Sequence, residues 1–391
     1  MGRSTPIEPL ASVSWGLVSS VAQTPAITIP PDLLPEDGRF GSGPSRVRPE
    51  AAIALAEVAD DFLGTSHRKA TVKDVVHRLR AGVAELFSLP DGYEVVLGNG
   101  GTTGFWDAAI FNLIESRSQH LSFGAFSAKF AAGVAAAPHL QEPVIISSEV
   151  GTHPEAVADP TVDAYALTHN ETSTGVSMEL RRPSEDGLVL VDATSGAGGL
   201  RFDPAETDVY YFAPQKCLAA DGGLWLACCS PAAVERIERI AASDRWIPPF
   251  LNLAIALGSS RKDETYNTPA LATVFLAVHQ VEWINDNGGL EWAATRCDQS
   301  ADIIYTWAEN RGFTTPFVSN TAIRSHVVAT IDFDGVSADE VAAVLRANGV
   351  VDVESYRALG RNQLRVALFP AIPPSDIAAL CGCIDYVVEN L

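Results

Sequence analysis

The chain has 391 residues, 47% of them hydrophobic, which is enough for a large core and about two domains. A net charge of −21 argues against a nucleic-acid role, because phosphate backbones attract basic surfaces, and it makes any local cluster of Arg and His conspicuous. Six cysteines match no zinc-ligand spacing and read as reduced thiols of a cytosolic protein, no signal peptide is apparent, and the apolar run from Leu271 to Val278 is too short to span a bilayer.

Residues 1–40 are rich in Pro, Ser and Thr and read as an extended arm, expected to pack on a small C-terminal domain. Gly41-Ser42-Gly43-Pro44-Ser45 is a loop, and Pro49 suits the first position of a helix. A second helix is predicted after Thr71, where Val72, Val75, Val76, Leu79, Val83 and Leu86 recur at helical spacing and Asp74 can close a capping box with Thr71. The polar connection between these helices carries His67, Arg68 and Lys69.

A strand from Glu94 to Leu97 runs into Gly98-Asn99-Gly100-Gly101-Thr102-Thr103-Gly104, and an apolar helix is predicted from near Phe105. Such a turn offers free N–H groups and the positive end of a helix dipole to a phosphate, although many strand–helix turns are glycine-rich without binding anything. Short strands then alternate with helical patterns: His120 to Phe123, Val144 to Ser147, Asp163 to Thr168, Leu188 to Asp192, Asp208 to Phe212 and Leu224 to Cys229. This rhythm predicts an α/β fold with a mostly parallel sheet covered by helices, whose sites form at the carboxyl ends of the strands.

Two such ends carry chemistry. Pro214 stops the strand that ends at Phe212, and Lys216 stands at its exit. Such a lysine is either a surface cation or an amine in a partly dry pocket, with a lowered pKa, able to form a Schiff base with a cofactor aldehyde. Asp192, closing the strand from Leu188, favours the second reading. A carboxylate at one strand end and a lysine at a neighbouring one suit a pyridoxal phosphate ring, the aspartate keeping the ring nitrogen protonated and the lysine holding the aldehyde.

Beyond Thr268-Pro269 a long apolar helix is predicted to about Asn285, broken by Gly288-Gly289, and a second amphipathic helix ends before Gly312. A different pattern follows: strand Val327 to Phe333, a helix capped by Ser337, strands Val350 to Val353 and Leu364 to Leu368, and a last helix from Pro374. The predicted organisation is an arm at 1–40, a large domain at 41–285 and a small α+β domain at 286–391.

With these segments placed, the chain resembles the fold-type I, class V pyridoxal-phosphate aminotransferases, and within them the phosphoserine aminotransferases, over nearly its whole length from Gly41. The resemblance rests on Gly-Ser-Gly-Pro at 41–44, Ser66-His67-Arg68, Gly100-Gly101-Thr102-Thr103, His169-Asn170-Glu171-Thr172, Asp192-Ala193-Thr194-Ser195, Ala213-Pro214-Gln215-Lys216 and Tyr266-Asn267-Thr268-Pro269. It implies pyridoxal 5′-phosphate as cofactor. Lys216 would be the Schiff-base lysine and would move the proton between the substrate Cα and the cofactor C4′. Asp192 would pair with the ring nitrogen, Thr172 would hydrogen-bond the ring hydroxyl, and Gly101, Thr102 and Gln215 would bind the phosphate. Phe126 would stack on the ring, where the family usually has tryptophan. Asn267 and Thr268 would reach the cofactor phosphate of the other subunit, which implies a homodimer with shared sites.

For the substrate, the resemblance gives Arg365 to the α-carboxylate and His67, Arg68 and Arg357 to a phosphate. The family often has a His-Arg pair where this chain reads Tyr356-Arg357. The activity implied is reversible amino transfer between glutamate and 3-phosphohydroxypyruvate, giving phosphoserine and 2-oxoglutarate in serine biosynthesis. No nucleic acid, membrane or metal is implied, and 4-phosphohydroxy-threonine stays open as a further substrate. Competing readings are an alanine–glyoxylate type aminotransferase, a cysteine desulfurase and a non-catalytic sensor. A desulfurase needs a nucleophilic cysteine on a mobile loop, whereas Cys297, Cys381 and Cys383 fall in predicted helices.

Overall fold

The computed structural model describes residues 27–391, so residues 1–26 of the predicted arm lie outside the described residues. The remaining stretch, 27–40, runs against the C-terminal third. Ile29 N donates to Asn348 Oδ1 at 2.9 Å, Asn348 Nδ2 donates to Ile27 O at 3.0 Å, and Phe40 is fully buried.

The strands are β1 (Glu94–Asn99), β2 (Ser118–Ser122), β3 (Val144–Ser147), β4 (Ala164–Thr168), the short hairpin β5 (Asn170–Glu171) and β6 (Val176–Ser177), β7 (Leu188–Asp192), β8 (Val209–Phe212), β9 (Leu224–Cys229), β10 (Thr314–Pro316), β11 (Val328–Phe333) and β12 (Gln363–Ala367). Seven of them form one sheet in the order β1-β9-β8-β7-β4-β2-β3. Only β9 runs against its neighbours; the pairings from β8 through to β3 are parallel.

Every residue of β4, β7, β8 and β9 is buried, which is why these strands read as unbroken apolar runs rather than alternating ones. Alternation persists in which face each residue meets. Val189, Val191, Tyr210 and Phe212 pack with helices α2 (Ala70–Leu86) and α7 (Leu271–Asp286), which follow α1 (Pro49–Phe62) on that side. Leu188, Leu190, Val209 and Tyr211 pack with α3 (Thr102–Asn112), α4 (Ala125–Ala135), α5 (Pro231–Ala241) and α6 (Leu253–Ser260). By the same parity Asp192 faces α3.

A second, antiparallel sheet, β10-β11-β12, packs with α8 (Gly289–Glu309), α9 (Ala338–Ala347) and α10 (Pro374–Asn390). Helix α8 joins both cores: Ala293 packs with the large-sheet cluster, and Ala301 and Ile304 with the small one. Among the described residues no helix is long and apolar enough to cross a membrane.

Three local expectations are corrected. Helix α2 starts at Ala70 with Lys69 at its cap, so Thr71 lies inside the first turn and the Thr71–Asp74 box does not form. Helix α3 starts at Thr102, not near Phe105, because Gly101 turns the chain with a φ of 127°. The strand predicted at Val350 to Val353 reduces to a single bridge between Val351 and Arg39, because Asp352 adopts φ 65°, a left-handed conformation that a ladder cannot continue.

Candidate active site

Parallel pairing sets Thr168 opposite Asp192, and Asp192 opposite Tyr211, so the carboxyl ends of β4, β7 and β8 open along one edge. Lys216 lies four residues past β8. Its Nζ donates to Ser42 O at 2.6 Å, and Ser45 Oγ donates back to Lys216 O at 2.7 Å, so the loop at 41–45 folds over the amine. Gly43 makes this possible: its φ is 147°, and a Cβ there would sit 2.0 Å from Lys216 Nζ. The lysine lines a cavity of about 420 Å³, within the usual range for small-ligand sites. Its side chain is only partly covered by area because the cavity is open. Protein atoms still crowd the amine, and burial, helped by the charge of Arg365, pushes its pKa down to about 8.

Asp192 lies against the same cavity, buried. Its Oδ1 accepts from Thr194 N at 2.9 Å and Thr194 Oγ1 at 2.5 Å, and its Oδ2 accepts from Trp106 Nε1 at 3.0 Å. Burial raises the carboxyl pKa, and these donors draw it back. Thr102 Oγ1 lies 2.9 Å from Thr194 Oγ1, tying the start of α3 to this group. The first intrahelical bond of α3 is Phe105 N to Gly101 O at 3.1 Å, so the amides of Gly101, Thr102 and Thr103 precede the ladder at the cavity wall. A Cβ on Gly101 would meet nothing within 4 Å. Phe126, Asn170, Thr172 and Gln215 complete the lining, and Asn170 Oδ1 and Gln215 Oε1 are buried without a partner. A flat ring bearing an aldehyde, a basic nitrogen and a phosphate fits this donor set.

The chain matches the model of the class-V aminotransferases over residues 55–355. It belongs to that family. Its relatives include a putative phosphoserine aminotransferase of Mycolicibacterium paratuberculosis, 60% identical over 368 residues, 93% of this chain and 98% of that one. A phosphoserine aminotransferase of Rhodococcus jostii is 57% identical over 366 residues, covering 93% and 98%. Among solved structures, a phosphoserine aminotransferase from Cytophaga hutchinsonii superposes with a TM-score of 0.83 at 23% identity, covering 89% of this chain and 99% of its own, a likeness that shows the fold.

This class-V aminotransferase does not gather all the predicted site residues within one chain. Arg365 does not line the cavity but reaches its wall at Thr172: Nη1 donates to Thr172 O at 3.3 Å, and Nε is buried without a partner. Arg357 is exposed at the start of a short 3-10 turn, Arg357–Leu359, directly after Tyr356. His67, Arg68 and Thr268 line a separate open hollow, where His67 Nδ1 lies 3.2 Å from Thr268 Oγ1 and His67 Nε2 is buried without a partner. Asn99, next to Gly100, links the two places through a 2.7 Å bond from its Nδ2 to Asn267 Oδ1. Neither Asn267 nor Thr268 caps α7, whose cap position is Ala270.

Three residues of the class-V aminotransferase site were not singled out from the sequence. Trp106 stands one turn after Thr102 on the face toward Asp192, a spacing that could have flagged it. Thr194 is the second donor to Asp192. Glu171, fully buried, accepts from the amides of Phe126 and Ser127 at 3.2 and 2.9 Å and from Ser173 Oγ at 2.7 Å, fixing the start of the helix that carries Phe126. Trp106→Phe keeps the packing and removes one bond to Asp192. A tenfold to hundredfold drop in kcat is expected from losing a hydrogen bond to a charged group, roughly 1.5–3 kcal/mol, with cofactor content by absorbance unchanged.

All six cysteines are buried and free. Burial pushes the thiols of Cys381 and Cys383 up to about 12 and about 11 and raises that of Cys297, so none is a ready thiolate. Burial raises the thiols of Cys217, Cys228 and Cys229 as well, which argues against a desulfurase.

Proposed function

We propose that this chain is a pyridoxal-phosphate-dependent phosphoserine aminotransferase, exchanging the amino group between glutamate and 3-phosphohydroxypyruvate. The observation that carries the reading is the pairing of an amine of depressed pKa, Lys216, with a buried carboxylate, Asp192, at neighbouring strand ends beside the amide-rich start of α3. The curated relatives at 57–60% identity that bear the phosphoserine aminotransferase name support the substrate class.

Pyridoxal phosphate, when bound, supplies an electron sink that makes the substrate Cα proton labile. The chain does the rest. Asp192 holds a proton on the ring nitrogen. Lys216 Nζ, as a neutral amine, would take the Cα proton and return it at the cofactor's C4′, the carbon of its aldehyde. The amides of Gly101 and Thr102 and the amide side chain of Gln215 would hold the phosphate, Thr172 the ring hydroxyl, and Phe126 would pack against the ring. Arg365 takes the α-carboxylate as a bidentate fork.

An acceptor screen tests the function. With glutamate as donor, 3-phosphohydroxypyruvate should exceed hydroxypyruvate, pyruvate and glyoxylate by orders of magnitude in kcat/KM, and preference for glyoxylate would move the chain to the alanine–glyoxylate reading. Offering 4-phosphohydroxy-threonine as amino donor, with 2-oxoglutarate as acceptor, tests whether it is also a substrate. Arg357→Ala should cut kcat/KM for the phosphorylated acceptor by about one to two decades, the worth of a charge-assisted contact, while leaving the unphosphorylated one nearly unchanged. Equal losses would make Arg357 structural.

The reading includes a homodimer with shared sites. His67, Arg68 and Thr268 line a hollow apart from their own chain's cavity, and a second copy would use them. Its test is a mixed dimer of two inactive variants, Lys216→Ala and a double change of Asn267 and Thr268 to Ala. A mixed dimer then has one site with both defects and one with neither, and co-expression should recover up to one working site per mixed dimer. No recovery would mean that Asn267 and Thr268 act within their own chain.

A further inference from the structure

The two positions that depart from the family pattern lie side by side: the rings of Phe126 and Tyr356 are 5.8 Å apart, centroid to centroid. The Tyr356 ring also meets the Arg365 guanidinium, whose Cζ sits 5.3 Å from the ring centroid. We propose that Tyr356 is a positioning residue for substrate recognition, holding the Arg365 fork at the angle that receives an α-carboxylate and tying it to the Phe126 wall of the cavity. This rests on the reading of Arg365 as the carboxylate site.

The argument starts from how little else fixes Arg365. A guanidinium has five N–H donors. Among the described residues the side chain makes one hydrogen bond, the 3.3 Å contact to Thr172 O, while Nε is buried with no partner. Arg365 sits in β12, so its backbone is rigid, but one long bond leaves the plane of the fork free to turn about it. An aromatic face within about 6 Å restricts that turning, because a guanidinium gains both dispersion and quadrupole attraction by lying against it. Tyr356 is itself kept from swinging away by Phe126. Phe126 is held in turn by the Glu171 carboxylate at its amide. The chain of contacts thus runs from a fully buried carboxylate, through two rings, to an arginine whose charge bears on Lys216. Preset orientation matters here because a bidentate grip on a carboxylate needs the fork coplanar with it.

The ring, not the hydroxyl, does the positioning, which separates this role from a hydrogen bond to substrate. The test uses holoenzyme carrying Tyr356→Phe, Tyr356→Ala, Arg365→Ala or the Tyr356→Ala/Arg365→Ala pair. Two quantities are read: the affinity for glutarate, an unreactive dicarboxylate, by calorimetry, and the ratio of kcat/KM for O-phosphoserine to that for phosphoethanolamine, which lacks the α-carboxylate. Tyr356→Ala should lower both by about tenfold, Tyr356→Phe should keep both within about twofold, and Tyr356→Ala should add nothing once Arg365 is alanine. Three results would each overturn the proposal: no change in Tyr356→Ala while Arg365→Ala is impaired, equal loss of the two amines, or Tyr356→Phe as poor as alanine. If Arg365→Ala leaves both quantities intact, the carboxylate reading of Arg365 fails and this one with it. Tyr356 is only partly buried in a loop, so its replacement spares the core.

Discussion

Lys216→Ala should abolish amino transfer, by about 10⁴-fold or more, since a positioned general base alone contributes about 10²–10⁴ and this residue also anchors the cofactor. The other four lysines offer no substitute: Lys69, Lys129 and Lys262 are exposed, and Lys73 pairs with Glu264 at 3.4 Å. Borohydride treatment of the wild type followed by peptide mass mapping should place the cofactor on Lys216 and nowhere else. Retention of a reducible link in Lys216→Ala would sink the assignment. A pH profile adds a second check. The folded pKa of about 8 lies below the ordinary 10.5, so the reactive neutral amine grows as pH rises through 8. Cofactor attachment to the cofactor-free protein should accelerate with pH and level off above about 8. The same shift has a stability sign. Between about 8 and 10.5 the unfolded chain holds a proton on this lysine that the folded chain lacks, so this group makes the cofactor-free protein more stable as pH rises across that window.

Much of the candidate site was legible because the two groups proposed to carry the chemistry sit where a periodic pattern stops. Asp192 and Lys216 end or follow runs of apolar residues that can only be strands buried on both faces, and a charged residue at such an end is conspicuous. Glycines at 100 and 101 were legible for the same reason: only a turn with positive φ explains them, and both have it. Side chains that act through register were not legible. Whether Trp106 reaches Asp192 depends on which face of β7 the aspartate takes and how α3 lies across the sheet, neither of which is local. Glu171 looked like one polar residue among several, and its role appears only when α4 is laid against it. The strand predicted at Val350 to Val353 had a fitting composition, but the left-handed turn at Asp352 is set by tertiary packing. His67 and Arg68 were grouped with Arg357 by the resemblance, and sequence alone could not show that within one chain they line a hollow apart from the cavity of Lys216.

Asp192 carries the second large effect. In the proposed function its carboxylate has one task that no neighbour would take over: keeping a proton, and so a positive charge, on a ring nitrogen placed against it. Breaking a buried ion pair by removing one partner costs about 3–5 kcal/mol, or roughly two to four decades in rate when the charge is needed in the transition state. Asp192→Ala should therefore lose about 10²–10⁴ in kcat while still loading cofactor through Lys216 and the start of α3. Asp192→Asn should do no better. The amide keeps the shape but carries no charge, and its NH₂ group would meet either the Trp106 Nε1 donor now 3.0 Å from Oδ2 or the Thr194 donors at Oδ1. A cofactor methylated on the ring nitrogen bears a permanent charge, so loading Asp192→Ala with it should recover part of the lost rate, whereas the same analogue in the wild type should not raise it. Stability should move less than rate, because the carboxylate is already raised in pKa by burial and its loss removes a costly charge along with its hydrogen bonds. If Asp192→Ala stays within about tenfold of wild type in kcat, or the methylated cofactor rescues nothing, the aspartate is a structural anchor for Trp106 and Thr194, and the ring nitrogen is held by another group.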